Sequence, residues 1–502
     1  MSIRLASHSF AATILALSAV ASAAQDQAAK VVARWDKVIR TTKTTATLQV
    51  VVNPPLQRGT PVHDNAFKAL HDLGADYVRY VPWLPYPKLG VAELEPPKDG
   101  KTSWDFTPID PMTIDFLEAT KGHSVILNFS TIPQWMYKTD KPVEYPADPA
   151  QVTWTYEQGT ELRDPSAKEV ADYFARLVSW YTQGGFTDEL GKRHESGYHY
   201  SIPYWEVLNE IDFEHHISPE NYTKLYDEVV LAMKKVQPDM KFVGLALAMP
   251  TDPHYFEYFL DHQNHKPGVP LDFISYHFYA VPSIDETPEI EQFTYFAQAD
   301  GFLKAVRYVE AIRKRLSPET KTTIDELGVI SADDLAQGTP GHVAQPIPNS
   351  YWNLAGALYA YLFGELTQIG IDVAGESQLV GFPTQFPSVS MVDWNNGKPN
   401  ARLWVLKLLH DHFGPGDKQV EIEPMPNNPY VYSLAFVTHD GKHRVLLVNK
   451  RDRKFDVTVT GASGGQQEYV DQTTAFQPPA TVKLSSETLS LGGYSVAVVT
   501  LP

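Results

Sequence analysis

From Thr47 to about His412, short apolar runs alternate with amphipathic segments of helical period, and this alternation leaves few folds open. Parallel strands need a long crossover between them, and a helix on each crossover buries one face of the sheet. The apolar runs are Leu48 to Val52, Tyr77 to Val81, Ser124 to Phe129, Tyr204 to Ile211, Phe242 to Ala248, Phe273 to Tyr279, Thr322 to Val329, and one near Ile371-Asp372-Val373-Ala374. Helical patterns fall between them: Asp64 to Leu73, with Phe67, Leu70 and Leu73 on one face, then Met112 to Ala119 and Ala167 to Tyr181. Ser218-Pro219 reads as a cap followed by proline at the first helical position, opening an apolar face from Tyr222 to Val236. Phe302 to Arg315, Trp352 to Ile369 and Ala401 to His412 complete the series. Eight strand-helix units predict an α/β fold, a (β/α)8 TIM barrel with enlarged loops.

Beyond Gly414 the period changes to short alternating strands split by turns, such as Tyr430 to Val437, Arg444 to Val448 and Phe455 to Val459. This predicts a C-terminal antiparallel β-sandwich domain. The expected division is a signal peptide over residues 1–23, a barrel over 24–413 and a sandwich over 414–502. Within the first span, 24–46 contains the strand-like Val31-Val32-Ala33 and Lys37-Val38-Ile39, which are free to join the sandwich.

Arg4 precedes an apolar run from Phe10 to Val20 and the small residues Ala21-Ser22-Ala23, the pattern of a cleaved export signal. No later run is long and apolar enough to span a bilayer, so a secreted or periplasmic protein with no membrane partner after signal removal is expected. The chain has no cysteine, and its fold therefore uses no disulfide. Formal net charge is -18 with no Lys/Arg-rich run, which argues against nucleic acid as a partner. Asn128-Phe-Ser130 and Asn221-Tyr-Thr223 match the glycosylation pattern, although Asn128 sits in an apolar run. Oligomeric state is left open.

In a barrel of this kind chemistry belongs at the C-terminal ends of the strands. The fourth run ends in Asn209-Glu210, the seventh in Asp325-Glu326, the sixth in His277-Phe278-Tyr279, and the second contains Arg79. Strands four and seven face each other across an eight-stranded barrel, so Glu210 and Glu326 can flank one substrate. Two carboxylates so placed suit glycosidic bond cleavage, one as acid and one as nucleophile or base. Alternation turns Asp325 and Glu326 to opposite sides of their strand, and the sequence leaves open which of them faces the site.

The segment Trp205-Glu206-Val207-Leu208-Asn209-Glu210 resembles the E-V-W-N-E-P segment of glycoside hydrolase family 39, which includes β-xylosidases and α-L-iduronidases. The likeness continues through Tyr222-x-x-Leu225-Tyr226-Asp227 and Lys241-Phe242-Val243-Gly244, and returns at Asp272-Phe273-Ile274-Ser275-Tyr276-His277-Phe278-Tyr279. Leu208 stands where the family often has tryptophan, and Ile211-Asp212 replaces Pro-Asn. The resemblance implies a retaining glycosidase with Glu210 as acid/base and Glu326 as nucleophile, Asn209 on the sugar 2-hydroxyl, and no cofactor. Arg79 and Tyr279 would hold Glu326 ionised, and His277 would contact substrate or support Glu210. A neutral β-xyloside or related plant-wall glycoside is the favoured substrate, since a net negative chain repels polyanions.

Two rival classes accompany this reading. One is a carbohydrate-binding protein on a catalytically altered barrel. The other is a metal-dependent hydrolase using Asp212, Glu214, His215 and His216, but those residues lack the spacing of a common metal site, and no metal is expected. No Gly-rich phosphate loop and no Gly-x-Ser-x-Gly elbow supports nucleotide binding or serine hydrolysis. Trp83, Trp135, Trp352 and Trp394 are candidates for stacking on a sugar face.

Overall fold

A computed structural model describes residues 29–141, 144–154, 159–283, 286–336, 343, 345–383, 385–423 and 429–502. The expected export signal, residues 1–23, lies outside the described residues. Eight parallel strands close into a barrel in sequential order. They are β1 (Thr45–Val51), β2 (Val78–Val81), β3 (Val125–Leu127), β4 (Tyr204–Glu206), β5 (Lys241–Leu247), β6 (Phe273–Ala280), β7 (Lys321–Val329) and β8 (Val373–Glu376). Each is followed by a helix: α1 (His63–Leu73), α2 (Asp110–Ala119), α3 (Lys168–Thr182), α4 (Pro219–Val236), α5 (Pro253–Phe259), α6 (Pro288–Leu316), α7 (Asn349–Ile369) and α8 (Ala401–His412).

Local chemistry explains several of these bounds. Helix α1 buries Ala66, Phe67, Leu70 and Leu73 and stops at Gly74, whose φ of 64° suits a residue without a Cβ. Helix α4 begins where the Ser218 hydroxyl accepts from the Asn221 amide at 3.3 Å, with Pro219 inside the first turn. Two features depart from the pattern reading. The fourth apolar run, read as strand through Ile211, is strand only to Glu206, because Leu208 and Glu210 adopt positive φ (62° and 40°) and break the ladder. Helix α6 starts at Pro288, well before Phe302, because Tyr295, Phe296 and Ala299 extend its buried face toward the N-terminus. The short α5, capped by Asp252, supplies the crossover that the sequence pattern left blank.

The second domain is a sandwich. A seven-stranded antiparallel sheet runs, edge to edge, through Ala480–Lys483, Gln466–Val470, Val496–Thr500, His443–Asn449, Val431–Val437, Lys418–Ile422 and Ala33–Thr41. A three-stranded sheet of Ala29–Val31, Phe455–Val459 and Thr488–Leu491 packs against it, and its first pair is parallel. Residues 29–41 thus lie in the sandwich, so that the chain enters this domain before it enters the barrel.

The central strands of the seven-stranded sheet are buried on both faces. Val445, Leu447, Ala497 and Val499 meet the smaller sheet, while Leu434, Phe436, Leu446, Val448, Val496 and Val498 join the barrel's own core. Alternation along these strands sends successive side chains into two different cores. No helix among the described residues is long and apolar enough to cross a membrane.

Candidate active site

The site is assembled around Arg79, a fully buried arginine on β2. Its Nε donates to Glu206 Oε2 at 2.5 Å, Nη1 to Gln49 Oε1 at 2.7 Å and to Glu326 Oε1 at 2.5 Å, and Nη2 to Asn209 Oδ1 at 2.6 Å. One guanidinium therefore ties β1, β2, β4, the segment after β4 and β7 together at the barrel mouth. Register makes this possible, since Gln49 is the cross-strand partner of Arg79. Burial opposes the guanidinium's charge, but Glu206, Asp325 and Glu326 more than offset this and keep it protonated.

The backbone that presents Glu210 is unusual. Leu208 and Glu210 on one side, and Leu245 and Ala246 of β5 on the other, all adopt positive φ. Left-handed non-glycine residues cost about 1–3 kcal/mol each when surrounding structure must impose them. Here Tyr222 of α4 imposes it, donating to Val207 O and accepting from the Leu245 amide, both at 2.9 Å. The Glu210 amide in turn bonds Ala246 O at 2.8 Å. Glu210 is aimed into the barrel mouth by this paired distortion and not by a straight strand end.

His277 lies between the two candidate carboxylates, with Nδ1 3.0 Å from Glu210 Oε1 and 3.7 Å from Glu326 Oε2, and Nε2 3.5 Å from Asp325 Oδ1. Burial disfavours its charged form, but Glu326, Asp325 and Glu210 raise its pKa well above the ordinary histidine value. The three carboxylates thus favour the charged form of His277, whose Nδ1 is within hydrogen-bond distance of Glu210. Burial likewise raises the Glu210 pKa, against the lowering effect of His277 and with a further rise from the Glu326 charge. Tyr279 donates to Glu326 Oε2 at 2.7 Å, and its oxygen lies 2.6 Å from Ser377 Oγ, which accepts from Gln49 Nε2 at 2.6 Å. Burial and the Glu326 charge keep this phenol protonated.

The six residues singled out from sequence, Arg79, Asn209, Glu210, His277, Tyr279 and Glu326, all meet at this one mouth. The alternation argument for Asp325 needs correction. Asp325 does not turn outward: it lies beneath the site, 3.6 Å from Arg79 Nε. Irregular register between Ile324 and Leu327, and between Ser275 and His277, lets adjacent residues both reach the barrel interior. Burial works against the Asp325 charge, yet Arg79 and His277 lower its pKa, so it is a buried counter-ion. Glu326 is the one of the pair that opens into the pocket.

Two further glutamates belong here: Glu206, which the sequence reading did not single out, and Glu214, which it considered only as a metal ligand. Glu206, fully buried, accepts from Arg79, from Asn128 Nδ2 at 2.6 Å and from the Ser275 hydroxyl, while burial pushes its pKa up to about 7. Asn128 is thus an internal donor and not a glycosylation acceptor. Glu214 accepts from Trp83 Nε1 at 2.6 Å and Asn209 Nδ2 at 2.9 Å. Its pKa is raised to about 8, first by burial and then by the charge of Glu210. The signal for both glutamates lay in an apolar run or a polar loop, where a carboxylate has no periodic signature.

The acidic-His loop does not converge on a point. Asp212 accepts from the Ala248 amide at 2.9 Å, His215 stacks on Tyr137 with centroids 5.4 Å apart, and the His216 ring turns back to Asp212 O. Among the described residues the one group with metal-ligand proximity is Glu210, His277 and Glu326, whose ligand atoms lie within 4.8 Å of one another.

The pocket above these groups holds about 480 Å³. Of the four tryptophans proposed from sequence, Trp83 lines it, whereas Trp352 is buried in the core, Trp394 is packed against it, and Trp135 lies under the Arg163 guanidinium at 4.3 Å. Trp154, not foreseen, also lines the pocket.

A closed (β/α)8 barrel with two glutamates at its mouth, one histidine between them and an arginine on one of them, defines the class of barrel glycoside hydrolases. Within that class the chain belongs to glycosyl hydrolases family 39, whose family model matches residues 19–326. Residues 429–499 match the model of the D-apionate lactonase C-terminal immunoglobulin-like domain. A β-xylosidase of Caldicellulosiruptor saccharolyticus is 28% identical over 212 residues, a stretch covering 42% of this chain and only 38% of that protein. Among solved structures, the GH51 arabinofuranosidase from Xanthomonas axonopodis pv. citri superposes with a TM-score of 0.65 at 13% identity, covering 95% of this chain and 100% of that one. A glucosidase from Croceicoccus marinus gives 0.61 at 14% identity, over 95% and 99% of the two chains. At such identities these structures speak for the fold alone.

Proposed function

We propose that this protein is an exported retaining glycoside hydrolase that removes a terminal sugar, with a β-xyloside or related plant-wall glycoside as substrate. The observation that carries the reading is the proximity of oxygens from Glu210 and Glu326, within 4.8 Å. Retaining enzymes hold their carboxyl groups about 5–5.5 Å apart, whereas inverting ones leave about 6.5–9.5 Å for a water. The partial likeness to a β-xylosidase supports the choice of sugar, and the pocket of about 480 Å³, walled by loops from several strands, supports action on a chain end.

Glu326 attacks the anomeric carbon as Glu210 passes its proton to the departing glycosidic oxygen. The C–O bond to the leaving group breaks, and a glycosyl ester forms on Glu326. Water then attacks that carbon, giving its proton to Glu210, and the ester bond breaks to restore the Glu326 carboxylate. Arg79 and Tyr279 each donate to Glu326 and stabilise its charge before attack and as it leaves. Asn209, fixed at both ends of its amide by Arg79 and Glu214, offers its remaining N–H to a sugar hydroxyl.

The test is chemical rescue. A Glu326→Ala variant should lose at least about a thousandfold of its turnover on an aryl glycoside, and azide should restore part of it while yielding the glycosyl azide of inverted configuration. Undiminished turnover in that variant, or an azide product of retained configuration, would sink the assignment.

A further inference from the structure

The pocket changes chemistry with depth. Its floor lies at and just beyond the strand ends and carries the polar groups Gln49, Asn209, Glu210, Tyr279 and Glu326, beside Val51 and Val81. Its lip comes from the loops beyond those strands and is mostly apolar, with Glu214 and Gln378 as the polar loop residues that also line the pocket. Trp83 and Leu84 follow β2, Trp154 lies between β3 and α3, Phe213 follows β4, Leu335 follows β7, and Phe386 follows β8. Trp83, Trp154 and Phe386 touch one another as a ring cluster, with centroids 5.6, 6.2 and 6.1 Å apart. Three lip residues stay open to solvent, Phe213 at 61%, Leu335 at 46% and Trp154 at 37%. Large apolar side chains gathered at one exposed rim mark a surface meant to be covered.

Resting on the glycosidase reading above, we propose that the lip is a leaving-group site for an apolar, aromatic aglycone and not for a second sugar. A sugar whose anomeric carbon lies between Glu210 and Glu326 occupies the floor, so its leaving group must pass the lip. A second sugar there would meet rings that offer its hydroxyls no partner, so any hydroxyl that leaves the solvent gives up a hydrogen bond to water. Of the two indole N–H groups at the lip, those of Trp83 and Trp154, the first is already committed to Glu214 Oε1 at 2.6 Å. An aromatic aglycone asks for no such partners, and offset or edge-on packing against the Trp83, Trp154 and Phe386 rings suits it.

The test separates this from the reading it rests on. Titration calorimetry with the intact protein compares three hydrolysis-resistant probes: methyl, 2-phenylethyl and xylosyl 1-thio-β-D-xylosides. Expected is binding of the phenylethyl probe at least tenfold tighter than either of the others, an advantage that a Trp154→Ala/Phe213→Ala variant erases while leaving the methyl probe's affinity in place. Equal or tighter binding of the xylosyl probe, or an advantage that survives the double substitution, overturns the proposal. So does absence of binding by all three, because an apolar lip holds the phenylethyl arm even when the sugar is not the preferred one. Hydrolysis of β-xylosyl fluoride, which carries no aglycone, is measured alongside. Its absence counts against the catalytic reading and leaves the affinity ratio to decide the lip.

Discussion

Arg79 shows how much one side chain can organise. It donates to groups from four different parts of the barrel, and no water reaches it. His277 has a comparable place in the chemistry. Its hydrogen bond and its charge both lower the pKa of Glu210. In the proposed reaction Glu210 must be protonated to act as the acid, so activity falls as pH rises through its pKa. A His277→Asn variant removes the positive charge, and the alkaline limb of kcat/KM should therefore move to higher pH, with kcat itself lower. A pH profile measured on an alkyl glycoside checks the sign. An alkaline limb that stays in place or moves down would show that His277 does not set the acid.

At the scale of elements, α7 decides how the sandwich meets the barrel. Gly364 sits in the middle of this otherwise apolar helix, and a Cβ built there would stand 2.6 Å from Tyr432 Cε1 and 2.7 Å from its hydroxyl. That hydroxyl accepts from Gln368 Nε2 at 2.9 Å, and the ring packs edge-on against Tyr361, so Tyr432 has little room to retreat. Glycine to alanine in a helix gains about 1 kcal/mol in propensity, while overpacking costs about 1–3 kcal/mol. With the ring pinned the clash should win, and Gly364→Ala should lower stability by about 1 kcal/mol, read as a lower urea midpoint. A higher midpoint would mean that the domains shift at no cost.

The elements also show why some of the structure was visible in sequence. Helix α8 is bounded by an Asn400 cap and by the change of rhythm after His412, and both signals are local. The end of β4 was not visible. Nothing in Val207-Leu208-Asn209-Glu210 announces left-handed backbone, which is held by Tyr222 and the neighbouring strand β5.

For the whole molecule, the two domains share one core. The sandwich sheet places Leu434, Phe436, Leu446 and Val498 against the barrel side, and the N-terminal strand Ala33–Thr41 pairs with Lys418–Ile422. Ending the chain after residue 414 would expose the apolar faces of α7 and α8 and leave that first strand unpaired. Such a truncation should be recovered as insoluble protein, as measured by the soluble fraction on expression. A soluble barrel with the full chain's melting temperature would show that the sandwich only decorates it.

Periodicity alone determined the barrel, the change to a β-sandwich and the strand ends that supply the candidate site, because burial on one face writes a repeat into the chain. The ordered motif from Trp205 to Glu210 and from Asp272 to Tyr279 narrowed this to a family. Only the tertiary structure decided that Asp325 lies beneath the site while Glu326 opens into it, that Glu206 and Glu214 belong to the site, and that Trp154 and Phe213 form its lip. The physical reason is common to all of them. Each depends on a bulge, a positive φ or a partner far away in the chain, and interactions between distant residues leave no periodic trace in sequence.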